Sequence, residues 1–93
     1  MNEDRILTMH PAGKKGVNID REKYEFIKNY ILNKVKDEGE ITFSDLADAA
    51  VEEISAEFDG KVLWYITTVK LDLEARKLIE RIPKTSPHVI RLT

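Results

Sequence analysis

The chain has 93 residues, no cysteine, and 15 basic against 17 acidic residues, for a formal net charge of −2. That length holds one ordinary domain, and a chain this short buries only about 60–65% of its unfolded surface, which leaves little material for a deep catalytic cleft. Without cysteine there is no disulfide, thiolate metal site or cysteine nucleophile, which fits a reducing cytoplasm, and the near-cancelled charge removes the long-range positive field that draws many proteins to nucleic acid.

The start, Met1-Asn2-Glu3-Asp4-Arg5, is charged and leads into no sustained apolar run. Neither a signal peptide nor a membrane span is expected there. Over residues 8–19, His10-Pro11 and Gly13-Lys14-Lys15-Gly16 disfavour helix and predict an extended or looped arm. Asp20 is a good N-cap, and Tyr24, Ile27, Ile31 and Val35 follow at helical spacing until Gly39 offers a stop. Glu40-Ile41-Thr42 predicts a brief strand, after which Thr42 or Ser44 caps a second helix. Phe43, Leu46, Ala47, Ala50, Ile54 and Phe58 share one face of it, and Asp48, Glu52, Glu53 and Glu57 lie outward.

Asp59-Gly60 breaks the pattern, and with Asp59 as cap, residues 61–77 predict a third helix. Val62, Ile66, Val69 and Leu73 form one stripe of it, while Trp64, Thr68, Leu71 and Ala75 form another nearly opposite. Two short β-type runs follow, residues 79–82 and 88–92, around the tip Pro83-Lys84-Thr85-Ser86-Pro87. They predict an antiparallel hairpin.

This order of elements resembles the winged helix-turn-helix superfamily over residues 20–93, with residues 1–19 as an arm packing on the domain. Two segments carry the resemblance: Glu40-Ile41-Thr42-Phe43-Ser44-Asp45-Leu46-Ala47, like the strand entering a scaffold helix, and Leu73-Glu74-Ala75-Arg76-Lys77-Leu78-Ile79-Glu80-Arg81, like the exit of helix three into a wing. Many members of that superfamily have glycine where this chain has Lys77. The chain is also similar to small uncharacterised bacterial winged-helix proteins. The resemblance implies an α+β fold, a winged helix with a three-helix core, a short strand and a C-terminal two-stranded wing. It also implies a third helix that enters the DNA major groove and a wing that meets the neighbouring backbone.

Carried onto this sequence, the groove-facing positions would be Lys61, Trp64, Tyr65, Thr67, Thr68, Leu71 and Asp72. DNA readers place arginine, lysine, asparagine or glutamine there, so this face departs from the pattern. Arg81, Lys84, His88 and Arg91 on the wing, with Lys14 and Lys15 on the arm, are better placed for phosphate; ordinary solvated charge is the competing reading. The expectation is a cytoplasmic domain of nucleic-acid-associated regulation with weak or atypical DNA binding.

The alternative is a protein-interaction or homodimerisation module. Trp64, Thr68, Leu71 and Ala75 would leave an apolar patch on helix three, and Phe26 and Tyr30 another on helix one. Either a partner or second copy covers these faces, or the arm does so through Ile6, Leu7, Met9, Val17 and Ile19.

Catalytic and metal signals are weak. His10 and His88 belong to no ligand-spaced cluster. Gly13-Lys14-Lys15-Gly16 is read as a turn, since it lacks the length and ending of a nucleotide loop. Glu52, Glu53 and Glu57 read as a solvated helix face, and Ser86 and His88 have no third partner to orient a base. No enzyme activity, metal, cofactor, small-molecule ligand or membrane contact is expected.

Overall fold

In the computed structural model, which describes residues 4–93, the arm is a β-hairpin: β1 (Arg5–Leu7) pairs antiparallel with β2 (Asn18–Asp20), setting Ile6 opposite Ile19. Strands of three residues are too short to show their period in sequence, which is why an extended or looped arm is expected there and its pairing is not. The two limbs close at Gly16, where a Cβ would stand 1.7 Å from the carbonyl oxygen of Thr8. Glycine permits that approach, so the Thr8 N–H reaches the Val17 carbonyl at 2.8 Å and the Val17 N–H reaches Thr8 Oγ1 at 2.9 Å.

Asp20 caps α1 (Arg21–Glu38) by accepting from the N–H of Lys23, and Gly39 ends the helix at φ 79°. Tyr24, Ile27, Ile31 and Val35 are buried along it. β3 (Glu40–Thr42) leads into α2 (Phe43–Ile54), whose cap is Thr42, with Oγ1 accepting from the Asp45 N–H at 3.0 Å. The helix stops a turn earlier than its apolar spacing predicts. Phe58 still reaches the core, because its N–H bonds back to the Ile54 carbonyl.

Asp59 does not cap the third helix. Gly60, at φ 152°, carries the chain onward, and α3 (Val62–Ala75) begins after Lys61, whose side chain makes no capping bond. The helix ends in a Schellman turn: the Leu78 N–H meets the Leu73 carbonyl, the Lys77 N–H meets that of Glu74, and Lys77 sits at φ 68°. The backbone keeps the left-handed shape that glycine serves, with a lysine in its place.

β4 (Ile79–Ile82) and β5 (Val89–Leu92) form the C-terminal hairpin, and β3 adds to its other edge in the order β3-β5-β4, all antiparallel. Ile41, Ile79 and Ile90 turn inward from this sheet against Ile27, Ile31, Val35, Leu46, Ile66, Val69 and Leu73. Ile19 of the arm joins the same core and Ile6 packs against it. Among the described residues the result is a small α+β domain of three helices and two antiparallel sheets. Among the described residues no helix is long and apolar enough to cross a membrane.

Candidate functional site

Asp72, expected on the groove-facing side of the third helix, is instead fully buried, at 0% exposure. Its carboxylate accepts from the Tyr24 hydroxyl at 2.5 Å, from Arg76 Nε at 2.8 and 3.0 Å, and from the backbone N–H of Met9 at 2.8 Å. Acidic residues are almost never fully buried unless paired, so its sequence position gave no warning. The one available signal was the Asp72/Arg76 spacing of four on a helix. Burial first, then the bond to Asp72, raises the Tyr24 phenol well above its ordinary pKa. The bond to Asp72 likewise raises Arg76. This cluster ties the arm, α1 and α3 together and sets where the arm runs.

Beyond Met9 the arm lies beside the end of α3 and the C-terminal hairpin. His10, Pro11 and Ala12 share a cleft of about 580 Å³ with Lys77, Arg81 and His88. Lys70 and Glu74, nearly buried and paired at 3.1 Å, line the same cleft. Charge is divided unevenly along the chain. Residues 20–60 carry twelve Asp and Glu against five Lys and Arg, whereas residues 61–93 carry seven Lys and Arg against three Asp and Glu. Those three carboxylates are each held by a cation: Asp72 by Arg76, Glu74 by Lys70, and Glu80 by Arg91 at 2.6 Å. Lys61, Lys77, Arg81 and Lys84 are left with no carboxylate partner among the described residues.

The structure brings some of the expected phosphate contacts together and disposes of others. Lys14 and Lys15 are exposed in the arm loop. Arg81 Nη1 and His88 Nε2 stand 3.1 Å apart across the hairpin, and Lys84 is exposed at its turn with φ 63°. Arg91 is committed to Glu80, its cross-strand partner. Lys61 lies at the opposite end of α3. Tyr65 is half-buried with its ring edge-on to Phe58 and Trp64, at 5.0 and 4.9 Å. The exposed Thr67 donates its hydroxyl to the Leu63 carbonyl, and Thr68 is half-buried. The outward row of α3, Leu63, Trp64, Thr67, Thr68 and Leu71, therefore offers no arginine, lysine, asparagine or glutamine to base edges. Lys77 was not among the expected contacts, because its left-handed backbone and place in the cleft are visible only in three dimensions.

The apolar candidates also divide. Leu71 and Ala75 are half-buried, and Leu71 lines the cleft that the arm borders. Tyr30 packs on the core and donates to Glu53 at 2.8 Å. That bond, followed by one from Lys34, holds the Glu53 carboxyl below its ordinary pKa. Trp64 remains 45% exposed, beside Leu63 at 55%, and Phe26 remains 40% exposed. The arm thus meets one end of the helix-three stripe and leaves the other open, while its own Leu7, Met9 and Val17 are exposed.

Among the described residues, no group of three His, Cys, Asp or Glu is placed to hold a metal ion. His10 Nδ1 accepts from the Ala12 N–H at 3.1 Å and shapes the arm turn.

Fold and surface define a small α+β domain with a cleft between its arm and C-terminal hairpin that Lys77 and Arg81 line, and exposed apolar side chains, Leu63 and Trp64, at the far end of α3. The chain belongs to DUF6958, described as a family of unknown function, which matches residues 5–90. No curated protein and no solved structure matches it.

Proposed function

We propose that the chain is a winged-helix protein that associates with nucleic acid through the phosphate backbone, without reading base sequence. The β4–β5 hairpin serves as the wing and the N-terminal hairpin as a second clamp. One observation carries this reading: His10, Pro11 and Ala12 of the arm share a cleft with Lys77, Arg81 and His88 whose carboxylates, Glu74 and Glu80, are already paired, and the exposed Lys14, Lys15 and Lys84 belong to the same arm and hairpin. The cysteine-free composition fits a cytoplasmic setting for this role.

Five phosphate contacts give a log–log salt slope of about −4 to −5 on duplex DNA, and binding of this kind falls in the range of about 10⁻⁴ to 10⁻⁶ M. Fluorescence anisotropy of a labelled duplex over a salt series tests it. Arg81→Ala and Lys84→Ala should each weaken binding on every sequence by a similar factor and flatten the slope by about one contact. Absence of binding at low salt would end the reading.

A second reading, a docking surface for protein, rests on a different observation. Trp64 and Leu63 stay exposed side by side at the start of α3, the end of the helix away from the cationic cleft.

A further inference from the structure

We infer that this apolar end of α3 is a docking groove for a basic segment of a partner protein. The inference rests on the docking reading of the Trp64 edge and adds the chemistry of the partner. Phe26 and Phe58 stack with centroids 5.6 Å apart in a groove of about 220 Å³ between the start of α1 and the turn before α3. From Phe58 the rings continue through Tyr65 to Trp64. A chain of ring contacts through the buried Phe58 therefore links the groove to the exposed helix edge.

Four carboxylates line the groove, those of Asp20, Glu22, Glu57 and Asp59, against one cation, Lys23. Asp20 caps α1, whereas Glu22, Glu57 and Asp59 make no ion pair among the described residues. Lys23 Nζ already stands 5.8 Å from the centroid of the Tyr65 ring, so this wall holds an ammonium group supplied by the chain itself. Ring faces attract cations, carboxylates do the same, and the long stem of a lysine or arginine covers apolar surface while its head stays polar. A partner's basic side chain satisfies all three at once. The acidic surplus of residues 20–60 gives the same sign at longer range and disfavours a nucleic acid here.

The chain has a single tryptophan, so its emission reports this edge alone. A short amphipathic peptide of lysine and leucine, and the same peptide with glutamate for lysine, are titrated into isotope-labelled protein while emission and amide shifts are followed. The lysine peptide should move Trp64 emission and the amides of Lys23, Phe26 and Asp59, and the glutamate peptide should move neither. Glu22→Lys with Glu57→Lys should weaken the lysine peptide about tenfold, and the milder pair of glutamine variants should weaken it less. Arg81→Ala should leave it unchanged. Equal binding of both peptides, or unaltered affinity in the charge-reversed protein, would overturn the basic partner while leaving a docking surface. No response to either peptide would overturn both. A doubled mass by light scattering, abolished by Trp64→Ala, would assign the groove to a second copy of this chain and overturn the inference.

Discussion

The phenol of Tyr24 donates to the carboxylate of Asp72 at 2.5 Å, joining the first turn of α1 to the last turns of α3 across 48 positions of sequence. Arg76 and the backbone of Met9 share the same carboxylate. A hydrogen bond to a charged group contributes about 1.5–3 kcal/mol, so Tyr24→Phe should lower unfolding stability by that amount. Asp72→Ala removes the acceptor for the arm as well as the partner of Arg76. It should cost about 3–5 kcal/mol in a denaturant titration. Amide exchange at Met9 should quicken in both variants, and more in Asp72→Ala.

The same phenol sets a pH dependence. Tyr24 and Tyr30 are both raised in the folded protein, Tyr24 by burial and then by Asp72, Tyr30 by burial and then by Glu53. Their neutral forms stabilise the fold fully below the unfolded tyrosine pKa of about 10, and that stability is lost as pH rises above it toward the raised folded values. Thermal midpoints should hold near neutrality and fall above about pH 10. Tyr24→Phe should start lower and fall less steeply.

Lys77 separates stability from binding. Its left-handed backbone costs a non-glycine residue about 1 kcal/mol, so Lys77→Gly should stabilise the protein by roughly that much. The same change removes one cation from the cleft. Affinity for a duplex should fall and the salt slope should flatten, although the fold has become more stable.

Gly16 tests whether the arm acts as a clamp. A methyl group there meets the Thr8 carbonyl, and crowding of this kind costs about 1–3 kcal/mol. Gly16→Ala should loosen residues 8–17, seen as faster amide exchange at Thr8 and Val17. Duplex affinity should fall even though no charge has changed.

The helices were legible because burial is periodic: Tyr24, Ile27, Ile31 and Val35 repeat at helical spacing, and all four are buried. The C-terminal hairpin was legible from β-type runs flanking a proline-rich tip. Asp72 differs from its expected place because a pattern of polar and apolar residues treats every carboxylate as outward, whereas contact with Tyr24, Met9 and Arg76 compensates the burial of this one. The sequence predicts an extended or looped arm but not its hairpin pairing, because that pairing depends on a close approach at Gly16 and not on alternation. Lys14, Lys15, Arg81, Lys84 and His88 were identified one by one from sequence. That the arm runs beside the hairpin was not, since its course depends on the Met9 contact to Asp72 on α3, 63 positions away in sequence.

The proposed backbone-binding edge is tested most directly by titrating isotope-labelled protein with a short duplex at low salt and following every amide. The account predicts shifts at Lys14, Lys15, Lys77, Arg81, Lys84 and His88 that fade as salt is raised, with Leu63 and Trp64 unmoved. Shifts centred on Leu63, Trp64 and Thr67, or none at all, would contradict it.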